Sequence, residues 1–232
     1  MSKLVVAIRH IDFEDLGSFA APLEEAGYRI HYLERGQSVA LAHEADLLVV
    51  LGGPMGVYET ALYPWIPAEQ GLIRARLAAG QATLGVCFGA QQMAAALGAP
   101  VYPGRAGKEI GFYPLRLTAA GKASPVARVA GEHCQMFHWH GDTFDLPEGA
   151  TLLAGSERYP HQAFAVGRHG LALQCHPELE PDRIEEWLQG HAAELAAAGV
   201  ALQGLREGAA QHGDALRRQG RQLLRDWLAG LS

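Results

Sequence analysis

Thr83-Leu84-Gly85-Val86-Cys87-Phe88-Gly89-Ala90-Gln91 runs from a short apolar strand directly into a helical stretch, with a nucleophile-type residue at the junction and a glycine two positions to either side. A residue on so sharp a strand-to-helix turn leaves no room for neighbouring Cβ atoms, which accounts for the small flanking residues. The pattern is the thiol counterpart of the G-x-S-x-G elbow. The position also activates sulfur, because a helix N-terminus with free N–H groups favours thiolate over thiol. The Phe88 N–H can point at an oxyanion. An arbitrary free cysteine is better read as a small buried residue packing helix on sheet. The two glycines and the strand–helix setting reverse that for Cys87.

Upstream of the elbow, two periodicities alternate. Apolar, β-branched runs at Leu4–Ile8, Tyr28–Leu33 and Leu47–Leu51 precede Thr83–Val86. Helical stretches at Phe19–Ala26, Ala68–Ala79 and Phe88–Leu97 each end on a glycine (Gly27, Gly80, Gly98) suited to the left-handed position that closes a helix. Near-continuous apolar strands alternating with helices predict an α/β fold: an open, mainly parallel sheet with helices on both faces. Such sheets place ligands at the carboxyl ends of their strands, here just after Leu51 and Val86. Downstream, short β-like runs at Phe112–Leu117, Gln135–Trp139, Ala150–Leu153, Ala163–Val166 and Leu171–Gln174 follow without a long helix, as antiparallel additions to or extensions of the same sheet. From Pro181 the chain turns rich in Ala, Leu, Glu, Arg and Gln. Ile184, Trp187 and Leu188, then Leu216, Leu223, Leu224, Trp227 and Leu228, recur at helical spacing, as packing or capping helices rather than an active region. No composition break divides residues 1–232, so one domain is expected, with a core of about residues 3–180 and a helical extension over 181–232.

A thiolate nucleophile needs a base, and the base an orienting group. Leu171-Ala172-Leu173-Gln174-Cys175-His176-Pro177-Glu178 offers both at another strand end. Glu178 follows His176 across a proline that restricts the backbone, so its carboxylate can hold one imidazole nitrogen while the other faces sulfur. Alone, such a turn would be a solvated surface feature; beside an elbow it gains weight. Leu51-Gly52-Gly53-Pro54-Met55-Gly56 is the third strand-end element. It could cradle phosphate, although it lacks the P-loop's Lys-Ser/Thr ending and the G-x-G-x-x-G spacing. Alternatively, Gly53 presents its N–H to the same oxyanion as Phe88.

In order and approximate separation, Gly52-Gly53-Pro54, Gly85-Val86-Cys87-Phe88-Gly89-Ala90-Gln91 and Gln174-Cys175-His176-Pro177-Glu178 resemble the class I, triad-type glutamine amidotransferases over roughly residues 3–180. The likeness is greatest to stand-alone members related to the glutaminase domain of GMP synthase. The resemblance implies a flavodoxin-like fold and a Cys87–His176–Glu178 triad that hydrolyses the side-chain amide of glutamine through a γ-glutamyl thioester, releasing ammonia and glutamate. It implies Gly53 and Phe88 as the oxyanion hole. It also implies Gly52, Gln91 and the Phe137-His138-Trp139-His140-Gly141-Asp142 segment, chiefly His140, Gly141 and Asp142, as the substrate pocket. Cys175 stands where the family usually has an aromatic residue. No acceptor domain is recognisable after Glu178, so ammonia is expected to pass to a synthetase partner in trans or to solvent.

The net charge of −6 argues against nucleic-acid and anionic-membrane partners, and the five-residue apolar N-terminal run is too short for a signal-peptide core. Three cysteines make no disulfide framework, and a cytoplasmic location is expected. No cofactor or metal is expected. Three alternatives share these residues. The same triad cleaves γ-glutamyl peptides, with the loops at 56–66 and 100–112 setting pocket depth. A metallohydrolase could use His133, His138, His140 and Asp142, with its remaining ligands improvised. A non-catalytic flavodoxin-like binding or regulatory module would be expected to lack a triad residue, and none is lacking.

Overall fold

Alternate side chains of the first apolar run part to opposite sides of a sheet: Val5 and Ala7 enter one buried cluster, Val6 and Ile8 another. Leu47 and Val49 part from Leu48 and Val50 in the same way. Both faces are covered, so these strands are continuously apolar instead of alternating. In the computed structural model, which describes residues 3–131 and 134–231, the order is β1 (Lys3–Arg9), α1 (Ala20–Glu25), β2 (Tyr28–Glu34), α2 (Ala40–His43), β3 (Leu47–Val50), α3 (Ile66–Ala78), β4 (Thr83–Val86) and α4 (Phe88–Ala96). There follow β5 (Val101–Pro103), β6 (Glu109–Tyr113), β7 (Arg116–Leu117), α5 (Ala119–Lys122), β8 (Met136–His140), β9 (Asp142–Phe144), β10 (Thr151–Gly155), β11 (Ala163–Val166) and β12 (Gly170–Leu173). Helices α6 (Ile184–Gly190), α7 (Ala192–Ala198) and α8 (Leu202–Ala229) close the chain.

The main sheet has eight strands in the order β2-β1-β3-β4-β12-β11-β10-β7. The five from β2 to β12 are parallel, and the remaining pairings are antiparallel. This is the open mixed, mainly parallel α/β sheet expected from the sequence. Helices α3 and α4 pack one face through Leu72, Ile73, Met93 and Ala94, and α1, α6 and α8 the other through Leu23, Trp187, Leu216, Leu223 and Trp227. The predicted closing glycines Gly27, Gly80 and Gly98 all have positive φ.

The middle of the chain departs from expectation in two ways. Phe112–Leu117 is two strands in different sheets: β6 ends at Tyr113 and β7 starts at Arg116. Pro114 lies between them and has no N–H to give a ladder. The additions are also not all extensions of the main sheet, since β5–β9 and β6–β8 form separate two-stranded ribbons. Toward the C-terminus, α8 starts at Leu202, well before the predicted stripe, because Leu205 and Ala209 continue its buried face.

Candidate active site

Strands β3, β4 and β12 are neighbours in the sheet, with Val50 paired to Gly85 and Val86 to Leu173. Their carboxyl ends therefore open side by side, and each carries one of the three polar elements singled out in the sequence. Cys87 joins β4 to α4 with φ +51 and ψ −108, and among the described residues it alone has positive φ without being glycine. Such backbone typically costs about 1–3 kcal/mol and persists only where its surroundings impose it. Here the Cys87 N–H donates to the Leu173 carbonyl at 2.7 Å, fixing the elbow to β12. A Cβ on Gly89 would lie 1.9 Å from the Val50 carbonyl oxygen, and one on Gly85 would lie 2.6 Å from that of Gly89. The flanking glycines are thus required by the packing of α4 against β3 and β4.

His176 is held from both sides. Its N–H donates to the Phe137 carbonyl at 2.7 Å, its Nδ1–H donates to Glu178 Oε1 at 2.7 Å, and Trp187 meets the ring edge-on at 4.8 Å between centroids. The carbonyl of Glu178 in turn accepts from the Ser18 N–H at 2.7 Å. Helix α8 backs this turn so closely that a Cβ on Gly220 would lie 2.1 Å from the Pro177 carbonyl oxygen. The other nitrogen, Nε2, is buried without a hydrogen-bond partner and interacts electrostatically with Cys87. The Cys87 thiol donates to the Trp139 carbonyl at 3.6 Å. Burial pushes the thiol pKa up; His176 pulls it down, and Glu14 and Glu178 push it further up. Burial opposes charge on His176 as well, but Glu178 and then Cys87 outweigh it and hold the imidazole well above its ordinary value. The site thus favours imidazolium on His176, while burial opposes thiolate on Cys87.

The N–H of Phe88, first in α4, has no intrahelical acceptor. That of Gly53 donates to no backbone carbonyl among the described bonds. The Gly52-Gly53 loop is seated on His10, whose Nδ1 lies 3.1 Å from the carbonyl oxygens of both Leu51 and Gly52. A side chain on either glycine would displace a neighbour: a Cβ on Gly52 would lie 1.9 Å from Glu14 Oε2, and one on Gly53 would lie 2.8 Å from His10 Cβ.

Above Cys87 opens a cavity of about 450 Å³. Gly53, Gln91, His140, Gly141 and Asp142 line it as the sequence suggested, and so do parts of the two loops expected to set its depth, including Tyr58 and Gly104. Gly52, expected in the substrate pocket, does not line it. His140 contributes only a face, since its Nδ1 is 2.9 Å from the Asp142 carbonyl and its Nε2 is 3.1 Å from Glu109 Oε2. Burial raises the Asp142 carboxyl pKa despite the Tyr58 hydroxyl beside it, and burial together with Asp142 pushes that hydroxyl up to about 12.

Sequence reasoning missed Glu14, after β1, His191, at the junction of α6 and α7, and Glu194, in α7. All three line the cavity, so those helices do more than pack. Glu14 Oε1 and His191 Nε2 are 3.0 Å apart, and Glu194 Oε2 accepts from Trp139 Nε1 at 2.9 Å. The only advance signal was a short polar loop after a parallel strand. Of the four residues a metallohydrolase could use, His133 lies outside the described residues, and Asp142 lines the cavity without joining the cluster that His138 and His140 form with Glu109. Cys175 is wholly buried with its thiol pKa raised well above the usual value by burial, and all three cysteines are free.

The sequence model described as glutamine amidotransferase class-I matches residues 18–191. The chain is 37% identical to the glutamine amidotransferase-like protein YfeJ of Salmonella typhimurium over 193 residues, 81% of this chain and 80% of that one. It is 33% identical over 138 residues to the glutamine-hydrolyzing GMP synthase of Leifsonia xyli, covering 57% of this chain but only 26% of that protein. Among solved structures, a glutamine amidotransferase from Thermotoga maritima superposes with a TM-score of 0.88 at 34% identity, over 98% of this chain and 99% of that one. Another, from Methylobacillus flagellatus, shares the fold at TM-score 0.87 and 24% identity, over 100% and 96% of the two chains. Among the described residues, no helix is long and apolar enough to cross a membrane.

Proposed function

Because this chain belongs to the class-I glutamine amidotransferase family, whose members hydrolyse the amide of glutamine, we propose that Cys87, His176 and Glu178 carry out that hydrolysis through a cysteinyl thioester. The supporting observation is the convergence of a strained elbow cysteine with a buried imidazole that a carboxylate holds at 2.7 Å. Sγ attacks the amide carbon as the thiol proton passes to His176 Nε2. The oxyanion so formed is met by the N–H groups of Gly53 and Phe88. His176 then gives the proton to the departing nitrogen, the C–N bond breaks, and ammonia leaves a γ-glutamyl thioester. Water attacks the thioester, yielding one proton to His176, and collapse returns that proton to sulfur and frees glutamate. Removing one oxyanion donor typically costs about 2.7–4 kcal/mol of transition-state stabilisation. In this proposal, Gln91 and the His140–Asp142 wall seat the glutamate portion, residues 1–232 form one catalytic domain, and the ammonia goes to a synthetase in trans or to solvent.

Glutamate release from glutamine by wild type and Cys87→Ala tests the reading. Release by wild type and its loss in the variant is expected; equal release by both overturns it.

One observation favours a second reading, γ-glutamyl hydrolysis on the same residues. The cavity of about 450 Å³ falls in the range that receives ligands well beyond one amino acid in size. Rates on γ-glutamyl amides and dipeptides beside glutamine separate the two readings.

A further inference from the structure

Strand β6 faces β8 with Glu109 opposite His140 and Gly111 opposite His138. Residues two apart share a face of a strand, so both imidazoles project on the side of Glu109. All three side chains are buried, and their ligand atoms lie within 4.8 Å of one another. His140 Nε2 is 3.1 Å and His138 Nδ1 is 3.4 Å from the same oxygen, Glu109 Oε2.

Ordinary hydrogen bonding leaves part of this cluster unsatisfied. His140 Nδ1 is 2.9 Å from the Asp142 carbonyl and can only donate there, so the neutral ring turns a lone pair at Nε2 toward the Glu109 carboxylate, with the Gln162 amide as its donor at 3.0 Å. Neither ring nitrogen of the wholly buried His138 makes a well-aligned hydrogen bond; Glu109 Oε2 lies 3.4 Å from Nδ1, and the Tyr113 backbone is the other polar neighbour. Buried polar atoms without partners are rare, and each asks for an occupant. Among the described residues, no lysine or arginine pairs with Glu109; its other partners are the Ser156 hydroxyl at 2.8 Å and the Gln162 amide at 2.7 Å. A positive centre is missing between two imidazoles and a carboxylate.

We propose that Glu109, His138 and His140 bind a divalent transition-metal ion of the zinc type, with Gln162 as fourth ligand. Zinc bonds of about 2.0–2.1 Å at tetrahedral angles separate neighbouring ligand atoms by roughly 3.3 Å; the edges from Glu109 to His140 and His138, 3.1 and 3.4 Å, bracket that value, and those from the Gln162 amide to Glu109 and His140, 2.7 and 3.0 Å, would open on binding. The Asp142 carbonyl is the outer partner that metal-bound imidazoles characteristically have. Gln162 Oε1 is buried and unpartnered, while Nε2 lies 3.0 Å from His140 Nε2. Turning the amide over exchanges the two atoms and presents the oxygen to the ion. With a carboxylate, two imidazoles and an amide in a closed pocket, the ion would be structural. It would pin the ribbon carrying the His140–Asp142 wall to β11, which leaves the thiol chemistry at Cys87 independent of it.

The test is elemental analysis of tag-free protein purified without chelator and reconstituted with zinc. Cys87→Ala is run alongside, because the reactive thiol is a competing zinc ligand. About one equivalent per chain in both proteins is expected, falling at least tenfold in His138→Ala and Glu109→Gln. Should those variants fail to fold, cobalt substitution of Cys87→Ala gives a second readout: a tetrahedral visible spectrum without sulfur-to-metal charge transfer. Less than a tenth of an equivalent in wild type overturns the proposal and leaves a proton as the missing charge. Zinc that disappears with Cys87→Ala overturns it equally. Both outcomes leave the amide-hydrolysis reading standing, which is judged on glutamate release.

Discussion

His176 Nδ1 and Glu178 Oε1 stand 2.7 Å apart, separated in sequence by Pro177 alone. A contact so local cannot depend on distant parts of the fold for its geometry, but its use does. The Phe137 carbonyl holds the His176 backbone, and the Ser18 N–H holds that of Glu178, so the turn is fixed within the fold that also carries the elbow. Glu178→Gln keeps the size and loses the charge that favours imidazolium. We expect kcat for glutamate release to fall by ~10²–10⁴-fold, the usual contribution of a positioned acid–base group. A loss below threefold would separate Glu178 from the chemistry.

Glu14 gives a pH prediction with a definite sign. Its charge, like that of Glu178, pushes the Cys87 thiol pKa upward, and His176 pulls it downward. Glu14→Gln removes one upward push while leaving an oxygen for His191. Protonation of the Cys87–His176 pair inactivates the site, so the acid limb of kcat/KM is expected to move to lower pH in the variant. The limb belongs to the pair and not to either residue. A pH–rate profile in which the limb stays in place, or moves up, contradicts the charge coupling.

How much was readable in advance follows from how local each determinant is. The parallel strands were legible because burial on both faces makes Leu47–Val50 and Thr83–Val86 continuously apolar, and the closing glycines marked helix ends by backbone stereochemistry alone. Cys87, His176 and Glu178 sat in short motifs whose geometry is nearly set by the chain itself. Glu14, His191 and Glu194 were not legible. They meet across 177 residues of sequence in the case of Glu14 and His191, and no local pattern encodes such a meeting. The ribbons β5–β9 and β6–β8 were hidden for the same reason, since their pairing depends on long-range register and not on alternation within a strand.

Two glycines in neighbouring helices should respond oppositely to the same substitution. Gly89→Ala puts a methyl 1.9 Å from the Val50 carbonyl oxygen, a rigid backbone atom that cannot step aside. Gly71, in α3, has nothing within 4 Å of the added methyl. We expect Gly89→Ala to destabilise by at least ~1–3 kcal/mol through overpacking and to abolish activity by displacing the elbow. Gly71→Ala is expected to stabilise by ~0.5–1 kcal/mol through helix propensity with activity unchanged. Urea denaturation and glutamate release measure both, and equal effects would mean that the elbow tolerates a side chain.

The charge lining the cavity bears on which γ-glutamyl compounds it accepts. Glu14, Glu59, Asp142 and Glu194 face one lysine, Lys108, whose ammonium is already paired with Glu194. Glutamine brings one ammonium group, whereas a γ-glutamyl amide whose leaving group carries a free amine brings two. At about 6 Å and an effective dielectric near 20, one such attraction is roughly 3 kcal/mol before screening; exposure to solvent reduces it to about 1 kcal/mol or less. Amine-bearing amides are therefore expected to exceed uncharged amides of equal length in kcat/KM by several-fold at low salt. The advantage should shrink as the screening length falls toward ~8 Å near 0.15 M salt. Glu194→Gln, which also releases Lys108, should narrow it further. Equal kcat/KM for both substrates at every salt concentration would mean that these carboxylates do not meet the substrate.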